Sequence, residues 1–119
     1  MSNLIALCIQ ENEIENDGIY ELTQSKYMSN LTILNLSDND LDDIAIQLLT
    51  QSHYMSNLTY LDLSMNLISD KGAKFISESE YMSNLKYLNL EHNALGRKGK
   101  QALANSPYLC EKIKKQFKT

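Results

Sequence analysis

The sequence is poor in cysteine and lacks both long apolar runs and an excess of basic residues. It has two cysteines in 119 residues, and no apolar run approaches the roughly 18 residues of a membrane-spanning helix. The formal net charge of -4 argues against a general nucleic-acid binder. No cluster of acid, base and nucleophile appears, and the glycines of Gly96–Lys100 lack the spacing of a phosphate-binding loop. These absences predict a protein that is not an enzyme and has neither a membrane nor a nucleic acid as its partner.

The composition is that of one small globular domain, with 43% apolar and 22% charged residues. Its charges are unevenly distributed along the chain. Residues 1–53 hold nine acidic side chains against one lysine, whereas residues 108–119 hold four lysines against one glutamate. The first part of the chain is therefore acidic and its end is basic.

A five-residue motif recurs along the chain at a fixed interval. Tyr-Met-Ser-Asn-Leu begins at residues 27, 54 and 81, and Met-Ser-Asn-Leu opens the chain in the same 27-residue register. A fixed period of this kind is typical of repeat proteins. It predicts four repeats, at 1–26, 27–53, 54–80 and 81–107, followed by a basic C-terminal cap or tail at 108–119.

Each block also carries the apolar pattern L-x-x-L-x-L-x-x-N-x-L, which runs from Leu31 to Leu41 in the second block. The alternating leucines predict a short strand with one buried face. The second half of the block places Ile46 and Leu49 at helical spacing and predicts a helix that crosses over to the next parallel strand.

The residues ahead of these helices predict how the helices begin. Asn16, Asp43 and Asp70 stand one block apart, and a side-chain oxygen at such a position can cap a helix N-terminus. Arg97 occupies the fourth position and cannot cap in this way, so the last helix is expected to be the least regular.

The four blocks together resemble the leucine-rich repeat family, and the helix segments, such as residues 70–76, are similar to its ribonuclease-inhibitor-like branch. The resemblance implies an α/β solenoid arc with parallel strands on the concave side and helices on the convex side. It also implies recognition of a protein partner, which the sequence does not identify, through the concave face. Two alternatives stay open: a GTPase-activating scaffold similar to the activator of the Ran GTPase, and the recognition part of a larger bacterial effector or receptor.

The alternation of the strands predicts which side chains face a partner. Tyr60 and Tyr87 are adjacent aromatic residues on this surface and are the predicted anchors, because tyrosine is enriched at interface hot spots. Stacking of strand aromatics without any partner is the alternative. The other predicted partner-binding residues are Asp62, Asn35, Asn89, Met65, His92 and Ile33. Gln10, Ser37, Ser64 and Glu91 form a further predicted surface row, with Glu11 and Asp38 beside it.

One asparagine follows each strand, at Asn12, Asn39, Asn66 and Asn93. We predict a structural ladder in which each buried amide binds backbone groups of its own and neighbouring turns. A residue type that recurs once in every turn is typical of a scaffold rather than of a catalytic site.

The cysteines and acidic residues predict neither a disulfide nor a bound cofactor. Cys8 and Cys110 lie about four repeats apart, beyond the reach of a disulfide, and this cysteine usage favours the cytoplasm or delivery into a host cell cytosol. Asp38, Asp40 and Asp42 have the opening spacing of a calcium loop. However, the glycine and the bidentate glutamate of such a loop are missing, so no metal site is predicted.

The two ends of the chain carry the last predictions. Leu109, Ile113 and Phe117 are spaced by four and are expected to cover the end of the core while the lysines face water. At the other end, Leu4 and Leu7 are expected to meet solvent at an unpaired strand edge. Such edges recruit other strands, so self-association through the N-terminal end is possible.

Overall fold

In the computed structural model, which describes residues 5–118, the chain alternates between three-residue strands and longer helices. Short 3-10 helices at Lys26–Met28, His53–Met55 and Glu80–Met82 precede the second, third and fourth strands. The main elements are β1 (Ala6–Cys8), α1 (Asn16–Gln24), β2 (Ile33–Asn35), α2 (Asp43–Thr50), β3 (Tyr60–Asp62), α3 (Asp70–Ser77), β4 (Tyr87–Asn89), α4 (Arg97–Ala104) and α5 (Glu111–Lys115).

The four strands form one parallel sheet in the order β1-β2-β3-β4. Every strand residue pairs with the residue 27 positions later, so that Ala6 pairs with Ile33, Ile33 with Tyr60 and Tyr60 with Tyr87. Each helix packs against the helix of the next repeat, and the molecule measures 44 × 26 × 18 Å. The predicted α/β solenoid arc of leucine-rich repeat type is therefore confirmed.

The core lies between the sheet and the helices and is built from the apolar positions of the repeat pattern. In the second block, Leu31, Leu34, Leu36 and Leu41 are fully buried, and the equivalent residues of the third block are buried as well. In β1 Leu7 is only half-buried, because β1 has a strand neighbour on one side within the described residues. Burying a leucine side chain contributes about 1.5–3 kcal/mol, so the middle repeats stabilise the fold most.

The recurring Tyr-Met-Ser-Asn-Leu motif has a packing role at most of its positions. Its methionine is a core residue, since Met55 and Met82 are fully buried. Its asparagine links neighbouring repeats, because Asn57 Nδ2 donates to the Ser29 carbonyl at 2.7 Å and Asn84 Nδ2 donates to the Ser56 carbonyl at 2.8 Å. The motif therefore contributes contacts between repeats as well as within them.

A second set of links between repeats runs along the ends of the helices. Ser52 Oγ donates to the Thr23 carbonyl and Ser79 Oγ to the Thr50 carbonyl, both at 2.6 Å. Ser106 Oγ continues the series, donating to a carbonyl of the preceding repeat at 2.7 Å. These serines are buried, so each hydroxyl satisfies a carbonyl that would otherwise be buried without a partner.

The predicted helix caps are wrong by one residue. Asp42 and Ser69 are the N-caps of α2 and α3, and their side chains accept hydrogen bonds from the first-turn N–H groups of their own helices. Glu15 and Gly96 occupy the same position in α1 and α4 without a side-chain cap bond. The helices therefore begin at Asn16, Asp43, Asp70 and Arg97 rather than after them.

Asp43 and Asp70 instead cap the helix of the following repeat. Asp43 Oδ1 accepts from the backbone N–H of Ser69 at 2.8 Å and of Gly72 at 3.0 Å, and Ser69 Oγ donates to Asp43 Oδ2. Asp70 Oδ1 accepts from Gly96 N at 2.6 Å and from Gly99 N at 2.9 Å. This cap from the neighbouring helix explains why α4 has the same eight-residue length as α2 and α3, against the expectation that it would be the least regular.

The C-terminal segment packs against the last repeat. Leu109 and Ile113 are buried, and Phe117 is partly buried against the same core. Gln116 Nε2 donates to the Leu88 carbonyl of β4 at 3.0 Å, which ties the segment to the edge of the sheet.

Candidate protein-binding surface

The first row of the concave face consists of the leading residues of the four strands: Ala6, Ile33, Tyr60 and Tyr87. The rings of Tyr60 and Tyr87 stack with centroids 4.3 Å apart and an interplanar angle of 5°. Tyr87 and Ile33 remain exposed on either side of Tyr60. The register of the sheet therefore brings three of the predicted binding residues into one apolar strip.

The phenol of Tyr60 is held in its neutral form. Burial raises its pKa above the usual 10.0, and the neighbouring Tyr87, the carboxylate of Asp62 and the thiol of Cys8 raise it further. The Tyr60 phenol therefore ionises only in a more alkaline solution than an unperturbed tyrosine does.

The second row contains Cys8, Asn35, Asp62 and Asn89, and the last three are half-buried. Each of these three uses one side-chain oxygen to accept the backbone N–H of the residue two positions later, at 2.9–3.0 Å. Asp62 Oδ1 also accepts from Ser64 Oγ at 2.7 Å, and Asn89 Nδ2 donates to the Tyr87 hydroxyl at 3.3 Å. These predicted binding residues therefore also hold the turns that end the strands.

The third predicted row is only partly a surface, because Ser37 and Ser64 are buried while Gln10 and Glu91 are exposed. The rim beside it is exposed and has an unusual backbone. Asp38, Met65 and His92 have φ values of 57°, 55° and 60°. This left-handed region is costly for residues other than glycine. Repetition of the strained turn in every repeat fixes where Met65 and His92 lie.

A cavity of about 470 Å³ lies beside Tyr87 at the C-terminal end of the concave face. Tyr87, Asn89, Glu91 and His92 line it from the last repeat, and Lys100 lines it from α4. Gln116 and Phe117 of the C-terminal segment complete its wall. Sequence reasoning missed this cavity, because its wall depends on how the C-terminal segment packs.

The asparagines behind the strands bind backbone groups of two repeats at once. Asn66 Oδ1 accepts from Asn39 N at 3.0 Å and from Leu41 N at 2.9 Å. Its Nδ2 donates to the carbonyls of Leu36 and Leu63 and to one further carbonyl of its own turn, at 3.0–3.1 Å. Asn39 makes the equivalent bonds one repeat earlier. One repeat later, Asn93 Oδ1 accepts from Ile68 N at 2.9 Å and its Nδ2 donates to the Leu63 carbonyl at 2.9 Å.

Two asparagines correct the expectation that all four amides are buried, since Asn93 is half-buried and Asn12 differs most from the others. Its side chain is exposed, and its Nδ2 donates to the Gln10 carbonyl of its own turn at 2.8 Å. Its backbone N–H is nevertheless held by Asn39 Oδ1 at 2.9 Å. At the N-terminal end of the ladder, the Asn12 backbone therefore donates to the Asn39 side chain of the second repeat.

Cys8 and Cys110 are both free thiols. No group of three or more His, Cys, Asp or Glu side chains within residues 5–118 could hold a metal ion. Leu4 lies outside the described residues, while Leu7 is half-buried and its neighbour Ile5 is exposed. None of the helices in the described part of the chain combines the length and apolar composition needed to cross a bilayer.

The comparisons with known proteins agree with this architecture. The leucine-rich repeat family model matches residues 27–49, 54–77 and 81–104. Because these segments make up more than half of the chain, the protein belongs to the leucine-rich repeat family.

The solved structures add a relative in fold. The chain is similar to the tropomodulin C-terminal domain of Caenorhabditis elegans, with a TM-score of 0.67 and 12% sequence identity. The similarity covers 91% of this chain and 71% of that one. At so low an identity the similarity shows the fold alone. The sequence matches none of the curated proteins with which it was compared.

Proposed function

We propose that this protein is an interaction module that binds a protein partner through its concave face, with Tyr60 and Tyr87 as the anchors. The observation that carries the proposal is the stacked tyrosine pair, which is accessible to solvent on the strand side of the scaffold. Leucine-rich repeats typically serve as binding scaffolds, because stacked repeats create an extended concave surface.

The tyrosine pair has the physical properties of a preorganised anchor. Each ring is held by its neighbour at 4.3 Å, so little side-chain freedom is lost when a partner covers it. Tyrosine also combines a large apolar area with a polar hydroxyl group, which is why it is enriched at hot spots.

The other predicted contact residues surround the anchors. Ile33 extends the apolar strip on one side, and Met65 and His92 stand on the rim, where their exposed side chains reach solvent. Asp62, Asn35 and Asn89 lie in the row between the strip and the rim. We expect smaller effects from these three, because one oxygen of each is already used within the fold.

Site-specific photo-crosslinking in cell lysate tests the proposal. A photoreactive amino acid replaces Ile33 on the concave face or, as the control, exposed Lys74 on α3. We expect a discrete crosslinked protein from position 33 and none of it from position 74. A Tyr87→Ala change in the same protein should reduce the yield about fivefold or more, since loss of more than about 1 kcal/mol of binding energy is expected at a hot spot.

Two outcomes contradict the proposal. Equal crosslinking from position 74 would place the interface on the convex side. A yield unaffected by Tyr87→Ala would show that the stack belongs to the fold alone. Far-ultraviolet circular dichroism of each variant checks that its helices are retained.

The narrower predictions remain part of the proposal. Within the family we place the chain in the ribonuclease-inhibitor-like branch, in the cytoplasm or in a host cell cytosol. We also propose the boundaries 1–107 for the repeats and 108–119 for a C-terminal cap. Burial of Ile113 against the core supports the cap.

A further inference from the structure

Lysine and arginine are absent from the rows of the concave face, although acidic side chains occur on both faces of the solenoid. The four rows of the concave face contain four acidic residues and no lysine or arginine: Glu11, Asp38, Asp62 and Glu91. On the last two crossover helices, Lys71, Lys74, Arg97 and Lys98 are exposed outside these rows, and Lys100 of α4 lines the cavity beside Tyr87. Within residues 5–118, the single salt bridge joins Lys114 to Glu111, at 3.4 Å, so none of the concave carboxylates in that range forms an ion pair.

The absence of lysine and arginine from the concave rows favours a partner of positive charge. Neighbouring strands lie about 4.8 Å apart, so acidic side chains in one set of rows add their potentials over a small area. A complementary charge on the partner steers the encounter, whereas like charges facing each other cost several kcal/mol. A basic segment is therefore the electrostatic complement of this face.

The geometry around Tyr87 adds a specific recess for one basic side chain. One face of the Tyr87 ring is covered by Tyr60, while the ring also lines the cavity of about 470 Å³ and is 41% exposed. Glu91, whose side chain is exposed, and Asn89 line the same cavity. An aromatic residue and an acidic residue thus border one space that is open to solvent.

These two groups suit a guanidinium better than an ammonium. A guanidinium is planar, weakly hydrated and able to stack on a ring while it donates two parallel hydrogen bonds to a carboxylate. Lysine offers a strongly hydrated point charge and stacks less well. Lys100 also lines the cavity, and because like charges repel, a cation that enters the cavity is expected to lie away from its ammonium group.

We propose that the concave face binds a basic segment of its protein partner and that the cavity beside Tyr87 receives an arginine side chain of that segment. This inference rests on the proposed function and specifies the chemistry of the partner.

Labelled peptides of defined composition test the inference by fluorescence anisotropy at low salt. The probes are nonapeptides in which glycine alternates with arginine, lysine or citrulline, the last of which keeps the planar shape of arginine without its charge. We expect the arginine peptide to bind at least about fivefold more tightly than the lysine peptide, and the citrulline peptide to show no saturable binding. Binding should weaken with added salt, because exposed charges are screened.

Variants of the protein locate the binding site. Glu91→Gln and Tyr87→Ala should each weaken binding of the arginine peptide about fivefold or more, whereas Tyr87→Phe, which keeps the ring face, should retain it within about twofold. Lys100→Gln should tighten binding, since it removes the competing charge. Glu80→Gln is the matched control, because Glu80 is exposed in a 3-10 helix outside the concave rows.

The outcomes separate this inference from the proposed function. If the three peptides bind alike, or if Glu91→Gln has no larger effect than Glu80→Gln, the arginine site is refuted. The proposed function still holds if crosslinking from position 33 depends on Tyr87 while the arginine peptide fails to compete with it. It fails together with the inference if that crosslinking is also absent.

Discussion

Replacing Asn66 by alanine should lower the free energy of unfolding by at least about 2 kcal/mol. The change removes the acceptor for two backbone N–H groups, those of Asn39 and Leu41. Asn66 is 6% exposed, so water reaches these groups poorly. A buried donor left without a partner costs about 1–3 kcal/mol, and two such donors set the lower limit. Because both belong to the preceding repeat, the loss falls on the contact between the second and third repeats.

The chain offers two informative companions to this variant. Asn12→Ala removes the same side chain at an exposed position, where its Nδ2 donates to the Gln10 carbonyl. Its cost should stay within about 0.5 kcal/mol, as for most surface changes. Asn66→Asp keeps the volume and the acceptor oxygen but turns a donor into an acceptor that faces backbone carbonyls. It should therefore destabilise the protein although no cavity is created.

Denaturant unfolding followed by far-ultraviolet circular dichroism measures all three variants, with the slope m as a check that the unfolding transition is unchanged. The melting temperature of Asn66→Ala should fall by about 8 °C or more, at roughly 4 °C for each kcal/mol in a domain of this size. If Asn66→Ala is as stable as Asn12→Ala, the turn is solvated and the ladder does not stabilise the repeats. If Asn66→Asp is as stable as the parent protein, the amide donors are not needed.

Three further predictions test the packing, the anchors and the C-terminal segment. Gly72→Ala should destabilise the protein by about 1–3 kcal/mol in thermal unfolding, because the added Cβ would collide with Asp43 Oδ1. This cost should appear although alanine is the better helix former. In a double-mutant cycle, Asp43→Ala should reduce the effect of Gly72→Ala. Tyr60 should ionise above pH 10.0 in a tyrosinate absorbance titration. Because its pKa is raised in the folded state, the free energy of unfolding should fall as the pH rises from 10.0 through the folded pKa. The fall should be smaller in Tyr60→Phe, which lacks the titrating hydroxyl. Ile113→Ala should cost about 2–5 kcal/mol in denaturant unfolding, whereas Ile44→Ala, at a side chain 56% exposed, should cost little. Equal stability of these last two variants would show that the C-terminal segment is not part of the fold.

The main features of the fold could be predicted because the pattern that specifies them is local and repeated. Leu34 and Leu36 alternate within one strand, Ile46 and Leu49 lie at helical spacing in the following helix, and both features recur in register. A strand too short to be recognised alone becomes readable when it occurs four times. The parallel pairing of Leu34 with Leu61 follows from the same period.

The surface was less predictable, because alternation gives the direction of a side chain but not its burial or its partners. Ser37 and Ser64 occupy a surface row by pattern, but both are buried. The carboxylate of Asp62 lies in a binding row, yet it holds Ser64 through two hydrogen bonds. Whether a polar side chain is available to a partner depends on the turn that follows it. In that turn Met65 has a left-handed φ, and no glycine stands there to indicate this conformation in the sequence.

The helix caps could not be predicted from one repeat at a time. A capping side chain is normally sought within its own helix, but Asp43 acts on Gly72 in the next repeat, 29 residues away. The same link joins Asp70 to Gly99, where a Cβ on the glycine would lie 2.5 Å from Asp70 Oδ1. The glycine is therefore needed wherever the preceding repeat supplies a capping aspartate. In the first pair of repeats, Asn16 stands at the position of the aspartate and Ala45 at the position of the glycine. There Asp42 caps α2 from within its own repeat. Aspartate and glycine thus form one unit shared by two repeats, and the unit is visible only when consecutive blocks are compared as pairs.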